Sequence, residues 1–212
     1  MIPCKIESLD TLPLIAILRG LRPEEAIEVG EAIVAAGFVC LEVPLNSPEP
    51  LESISRLRRA LDGRALVGAG TVLDTGAARA VAAAGGQIII SPDSNPDVIS
   101  AAKDLGLLSI PGFFTPTEAF RAVQAGADAL KLFPAEIAGP AGLRAVKAVL
   151  PTGLRVYAVG GVDPGNTALW RAAGAAGLGI GSAIFKPGRT AQAIGTAATA
   201  FVVAWRSSRP GG

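Results

Sequence analysis

The stretch PTEAFRAVQAGADALKLFP, residues 116–134, contains one full copy of the unit that decides the fold. Residues 116–125 begin on a proline, which is favoured in a first helical turn, and their apolar residues recur at helical spacing. Gly126 follows this predicted helix, in the position of the common left-handed cap. The apolar run 129–134 then predicts a buried strand. The stretch therefore predicts a helix that leads directly into a strand.

The same alternation of apolar runs and helical patterns continues along the chain, at a spacing of about two dozen residues. The predicted strands are 14–19, 40–45, 65–72, 87–92, 107–112, 129–134, 155–162 and 177–184. The predicted helices are 23–36, 48–61, 74–84, 95–105, 116–125, 140–150, 164–173 and 189–205. Five of these helices are predicted to begin on a proline, at 23, 48, 116, 140 and 164. Five are predicted to end at a capping glycine: Gly37, Gly85, Gly106, Gly126 and Gly174.

Eight strand–helix units predict an α/β fold, a single (β/α)8 TIM barrel. The alternative is a doubly wound open sheet, which normally has fewer strands and a point where the strand order reverses. No linker or shift in composition divides the chain, so residues 1–212 are predicted to form one domain.

Composition and charge restrict the possible functions. The formal net charge of +1 gives no reason to expect nucleic acid or an anionic membrane as a partner. No apolar stretch approaches the length of a membrane span and no secretory signal pattern is visible, so a cytoplasmic location is expected. Two cysteines cannot form a disulfide scaffold, and Cys40 is expected in the core. The chain has no histidine, which excludes Ser-His-Asp and Cys-His catalysis and the usual zinc sites, so no metal is expected.

Three charged residues interrupt or end apolar strands. Lys131 lies within the run 129–134, where loss of water should lower its pKa and favour the free amine that imine formation requires. Glu42 lies within the second predicted strand, and Arg19 ends the first. Such residues can be structural, as a lysine that reaches solvent or a buried ion pair. Together at the C-terminal rim of one barrel, they indicate imine chemistry on an anionic substrate.

Glycines lie toward the ends of the last two predicted strands, as the pair Gly160-Gly161 and as Gly181 before Ser182. In these barrels a phosphate site is commonly built after strands seven and eight from backbone N–H groups, which glycine allows an anion to approach closely. Each pair could also be an ordinary turn. Their presence after both strands predicts a phosphorylated ligand.

Short motifs are spread along the whole chain: LIAILRG (14–20), LEVPLNS (41–47), GAGTVL (68–73), PG (111–112), ALKLFP (129–134), AVGGV (158–162) and GIGS (179–182). These motifs resemble those of the class I aldolases that cleave 2-keto-3-deoxy-6-phospho sugar acids, the KDPG/KHG family. The resemblance implies a Schiff base on Lys131 and a proton shuttle at Glu42. It also implies substrate contacts from Arg19 and Thr71, a pocket shaped by Pro92 and Phe133, and a phosphate site at Gly160, Gly161, Gly181 and Ser182. Family members are typically homotrimers without a metal or an organic cofactor.

Two positions favour one branch of the family. Gluco-type enzymes typically carry an arginine four residues after the catalytic glutamate and a threonine before the paired glycines, where this chain has Asn46 and Val159. With Arg19, these departures favour cleavage of the galacto epimer, 2-dehydro-3-deoxy-6-phosphogalactonate, to pyruvate and glyceraldehyde 3-phosphate. The alternatives are the gluco epimer or both epimers, another phosphate-binding barrel enzyme such as an isomerase or a prenyl- or thiamin-type synthase, or a non-catalytic barrel that binds a phosphorylated metabolite.

Overall fold

A computed structural model describes residues 4–208, so residues 1–3 and 209–212 of the predicted domain lie outside the described residues. The strands are β1 Leu14–Ile17, β2 Cys40–Pro44, β3 Leu66–Gly70, β4 Ile88–Ile90, β5 Leu108–Ile110, β6 Gly112–Phe113, β7 Leu130–Leu132, β8 Val156–Val159 and β9 Gly177–Ile180. The helices are α1 Ala26–Ala35, α2 Pro50–Ala60, α3 Thr75–Ala83, α4 Pro96–Asp104, α5 Pro116–Gln124, α6 Ala135–Lys147, α7 Thr167–Ala172 and α8 Ala191–Ser207. A 3₁₀ helix, Ile6–Leu9, precedes β1.

The strands form one parallel sheet in the order β5-β4-β3-β2-β1-β9-β8-β7-β6. Its two end strands, β5 and β6, are the halves of the predicted strand 107–112, which is divided at Pro111 because proline has no N–H to donate. The ring is joined across this break, where Lys131 N donates to Pro111 O at 2.9 Å and Asp128 N donates to Ser109 O at 3.0 Å. This closure confirms the (β/α)8 barrel and excludes the open sheet.

Side chains alternate between the barrel interior and the helix layer. On β1, Ile15 belongs to the interior cluster, whereas Leu14 and Ala16 belong to the cluster that packs against the helices. The 3₁₀ helix adds Ile6 and Leu9 to the interior, so that these two residues extend the core from the N-terminal side of β1. The reactive end is therefore left at the opposite, C-terminal rim.

The predicted proline starts of the helices are partly wrong. Pro116 begins α5 as predicted, but α2 begins at Pro50 and not at residue 48. The segments at 23 and 164 begin with turns, and α1 and α7 start three residues later. Before α7, the Asp163 carboxylate accepts from Gly165 N at 2.7 Å and holds the chain in this turn. The prediction at residue 140 is confirmed in part: α6 begins at Ala135, but Gly139 has non-helical dihedrals (φ 66°, ψ 170°), and a second helical piece begins at Pro140.

The five predicted capping glycines are confirmed, since each has a positive φ between 72° and 111°. Cys40 is fully buried in β2, as expected. In the part of the chain that the structure describes, no helix is long and apolar enough to cross a membrane.

Candidate active site

A cavity of about 230 Å³ opens at the C-terminal ends of the strands. It is lined by Ile17, Arg19, Glu42, Thr71, Pro92, Lys131, Phe133, Val159, Gly160, Gly161, Val162, Gly179, Gly181, Ser182 and Ala183. The structure thus brings together every candidate site residue named from the sequence except Asn46. A larger depression of about 450 Å³ adjoins the cavity at Pro92 and Phe133, but neither Lys131 nor Glu42 lines it.

Lys131 occupies the middle of β7 and is 7 % exposed. Its pKa is lowered, mainly because burial removes water from the ammonium and further because of the nearby Arg19 charge, while Glu42 acts in the opposite direction. The ammonium lies 4.8 Å from the centre of the Phe133 ring. Its position on a short strand, between the pairing partners Gly112 and Tyr157, leaves the amine on a rigid support.

Glu42 lies on β2, is 2 % exposed, and has no hydrogen-bond partner for Oε2 among the described residues. Burial raises the pKa of this carboxyl to about 7, against the lowering effect of Lys131 and Arg19. No ion pair within 4.0 Å joins Glu42 to any residue between 4 and 208. The carboxylate lies against Gly70, where a Cβ would overlap it. The geometry therefore leaves this carboxyl available for proton transfer instead of tying it up in a buried salt bridge.

Arg19 follows β1, and its guanidinium Nη1 donates to Asn46 Oδ1 at 2.6 Å. Asn46 itself is exposed and lies outside the cavity lining, so its observed contact is with the arginine. A second hydrogen bond joins the loops that follow β1 and β2, because Gly20 N donates to Ser47 Oγ at 2.9 Å. Two loops thus fix the arginine at the edge of the cavity.

The far end of the cavity consists of backbone. Gly160 and Gly161 follow β8 with φ of 107° and 64°, in the region that favours glycine. After β9 the chain makes a single helical turn, in which Ile184 N donates to Gly181 O at 2.9 Å. The N–H groups of Ser182 and Ala183 open this turn, and no acceptor for them exists among residues 4–208. Unpaired N–H groups of this kind attract an anion.

The remaining walls come from other strands. Thr71 follows β3 with φ of 58° and donates its N–H to Ile90 O at 2.9 Å. Val159 ends β8 and lies over Gly179, where a Cβ would meet its Cγ2 at 2.7 Å. Pro92 and Phe133 line the cavity on the side of the adjoining depression.

Sequence reasoning missed part of this site. It assigned no site role to Ile17, Val162, Gly179 or Ala183. The first three lie within motifs quoted for the family resemblance, and Ala183 directly follows one. The hydrogen bond from Gly20 N to Ser47 Oγ could not be predicted from the sequence, because it joins two loops that are 27 residues apart. No group of three or more metal-ligating side chains occurs in the described part of the chain.

Comparison with known proteins gives consistent results. A family model described as "Aldolase: KDPG and KHG aldolase" matches residues 6–194. The chain is 46% identical over 193 residues to a Rhizobium meliloti (strain 1021) protein named probable 2-dehydro-3-deoxy-6-phosphogalactonate aldolase, covering 91% of each. It is also 46% identical over 197 residues to the Escherichia coli (strain K12) 2-dehydro-3-deoxy-6-phosphogalactonate aldolase, covering 93% of this chain and 96% of the other. A solved structure described as "Native KDPGal structure" matches with a TM-score of 0.92, 46% identity, and 93% and 96% coverage.

Proposed function

The chain belongs to the KDPG and KHG aldolase family, and we propose that it cleaves 2-dehydro-3-deoxy-6-phosphogalactonate to pyruvate and glyceraldehyde 3-phosphate through an imine on Lys131. Membership makes the protein an aldolase, which is a carbon–carbon lyase, and excludes the other phosphate-binding barrel enzymes. One observation carries the proposed mechanism: a buried lysine with a lowered pKa shares a cavity with a buried carboxyl that has no ion-pair partner among residues 4–208.

Imine formation needs both groups. The neutral amine of Lys131 adds to the keto carbon at position 2, and its proton passes to the oxygen to give a carbinolamine. Glu42, whose carboxyl has a pKa of about 7, donates a proton to that hydroxyl so that it leaves as water. The product is a protonated imine, which can accept an electron pair.

Carbon–carbon cleavage then uses the ionised form of the same carboxyl. The Glu42 carboxylate removes the proton from the hydroxyl at carbon 4, a carbonyl forms there, and the bond between carbons 3 and 4 breaks. The electron pair of that bond moves into the imine and forms an enamine on Lys131. Glyceraldehyde 3-phosphate departs, the protonated Glu42 carboxyl gives its proton to carbon 3 of the enamine, and water hydrolyses the resulting imine to pyruvate and the free amine.

The two ends of the cavity suit the two charged ends of this substrate. Arg19 can pair with the carboxylate next to the keto group, as arginine commonly does with carboxylates. The backbone N–H groups around Gly160, Gly161, Gly181 and Ser182 can hold the phosphate. Thr71, Pro92 and Phe133 form the walls between the two ends.

The galacto epimer is proposed on two grounds. Both 46% identical relatives are named for this epimer. Val159 lines the cavity, and its methyl groups cannot hydrogen-bond the hydroxyl at carbon 4. Cleavage of the gluco epimer, or of both, is the alternative, and parallel measurement of the two epimers decides between them.

We further propose that residues 1–212 act as one domain, that the protein is a homotrimer and that it works in the cytoplasm without a cofactor. The trimer and the lack of a cofactor rest on the resemblance to the family, and the single domain and the location rest on the sequence patterns. Light scattering on the purified protein measures the oligomeric state, and a mass other than three chains would contradict the trimer.

Borohydride reduction in the presence of pyruvate tests the Schiff base. We expect a stable adduct on Lys131 by mass spectrometry, and none in Lys131→Arg, because arginine keeps the charge but cannot form the imine. The matched control is Lys147→Arg, since burial also lowers the pKa of Lys147, which lies on α6 outside the cavity. Loss of the adduct in the control, or cleavage by Lys131→Arg, would contradict the assignment. Substrate binding without an adduct in the wild type would favour the non-catalytic alternative.

A further inference from the structure

The turn after β9 is held from behind by a residue that does not line the cavity. Arg189 precedes α8, and its Nη1 donates to Ala183 O at 3.0 Å and to Ile184 O at 2.7 Å. These two carbonyls belong to the turn that opens with the N–H groups of Ser182 and Ala183, and both of these residues line the cavity.

The contact sets the direction of the turn. The carbonyl groups of a helical turn point opposite to its N–H groups, so a donor that fixes the carbonyls also fixes the N–H groups. Within residues 4–208, the only side-chain hydrogen bonds to the carbonyls of Ala183 and Ile184 come from Arg189. The cationic donor also lies at the negative end of the turn, where a positive charge is favoured.

The segment between the turn and Arg189 is fixed at its middle. Arg189 N donates to Lys186 O at 3.1 Å, and the Pro187 ring lies against Gly20, where a Cβ would meet Pro187 Cγ at 2.8 Å. Gly20 in turn is tied to Ser47 beside the guanidinium of Arg19. Arg189 therefore starts from a fixed backbone and can hold the turn in one orientation.

We propose that Arg189 is a positioning residue for the phosphate of the substrate, acting through the N–H groups of Ser182 and Ala183. The inference rests on the proposed function, because it takes the phosphorylated end of the substrate to lie at this turn. Loss of Arg189 should weaken binding of the phosphate while Lys131 and Glu42, on other strands, keep their places.

The test compares Arg189→Met with the wild type, because methionine keeps an apolar stem and removes the donors. In the cleavage direction, KM for the phosphorylated substrate should rise on the order of 10- to 100-fold, the range expected for hydrogen bonds to a charged group. The kcat should change little, since the contact lies away from the reacting carbons. Competitive inhibition by inorganic phosphate should weaken by a similar factor.

Condensation of pyruvate with unphosphorylated glyceraldehyde provides the readout that a purely structural role would alter. We expect Arg189→Met to match the wild type in this reaction and in the borohydride adduct with pyruvate. Arg59→Met, which changes an exposed arginine on α2, is the matched control and should leave all constants unchanged.

Equal losses of activity with the phosphorylated and the unphosphorylated aldehyde would show that Arg189 only supports the fold. An unchanged KM would show that Arg189 has no role in phosphate binding. Either result overturns the inference. Failure of the proposed function is distinguishable, because the wild type itself would then neither cleave the substrate nor form the adduct. That result would overturn the inference as well.

Discussion

The buried carboxyl of Glu42 should make the folding free energy depend on pH in a way that one substitution removes. Its pKa is 4.5 in an ordinary setting and about 7 in the folded protein, because burial disfavours its charge. Between these two values the folded state binds a proton that the unfolded state does not. The free energy of unfolding therefore falls as pH rises through this interval, and the loss is complete above pH 7.

The magnitude follows from the size of the shift. A difference of about 2.5 pKa units at about 1.4 kcal/mol each corresponds to about 3 kcal/mol. Lys131, whose pKa is lowered, has the opposite effect, because stability rises with pH above its folded value. Titration of Glu42 alone can therefore lower the free energy of unfolding by at most about 3 kcal/mol.

Urea unfolding of the wild type and of Glu42→Gln, each across this pH interval, measures the effect. The variant has no titrating group at position 42, so its unfolding free energy should fall by up to about 3 kcal/mol less than that of the wild type. Each protein is compared with itself at two pH values, so any destabilisation by the buried glutamine amide that does not depend on pH cancels. Glu28→Gln, on the exposed face of α1, is the control and should behave as the wild type. The same pH dependence in Glu42→Gln and the wild type would refute the reasoning.

Three further predictions concern the site. The wild type should cleave the galacto epimer at least as well as the gluco epimer. Val159→Thr should shift the ratio of the two kcat/KM values toward the gluco epimer by roughly three- to tenfold, the effect of one hydrogen bond. An unchanged ratio would show that this position does not select the epimer. Gly20→Ala should raise KM and lower the denaturation midpoint, because φ of 89° disfavours a side chain and the added Cβ would meet Pro187; wild-type values for both would contradict this. Because the chain has no histidine, a chelator should leave turnover unchanged, and inhibition reversed by a divalent ion would contradict the imine mechanism.

The fold could be predicted because its signals are local. Five of the eight helix patterns end at a glycine, and each of these glycines has the positive φ that a left-handed cap requires. The proline starts were less reliable, because a proline also suits a turn before a helix, as at Pro23 and Pro164. The division of the fifth strand at Pro111 follows from the missing N–H, yet only the closed ring shows that its carbonyl bonds to β7.

The cavity residues could be predicted where a charged side chain stood in an apolar strand. Lys131 and Glu42 carry this signal, and the structure brings them into one cavity. Asn46 and Arg189 show the limit of such reasoning, because each acts on another residue of the protein. Asn46 contacts the guanidinium of Arg19, which lies 27 residues earlier in the chain. Arg189 contacts two carbonyls of the β9 turn only five and six residues before it, but neither contact follows from a strand or helix pattern.

Missing side chains shape this site as much as present ones do. Gly70 leaves the space that the Glu42 carboxylate occupies, and Gly179 leaves the space over which Val159 lies. A methyl group at either position would move the proposed proton-transfer group or the proposed epimer contact. Small residues in parallel strands usually serve close packing of the backbone. In this barrel they also place the carboxyl in an apolar interior, and that burial raises its pKa to about 7, where it can both donate and accept a proton.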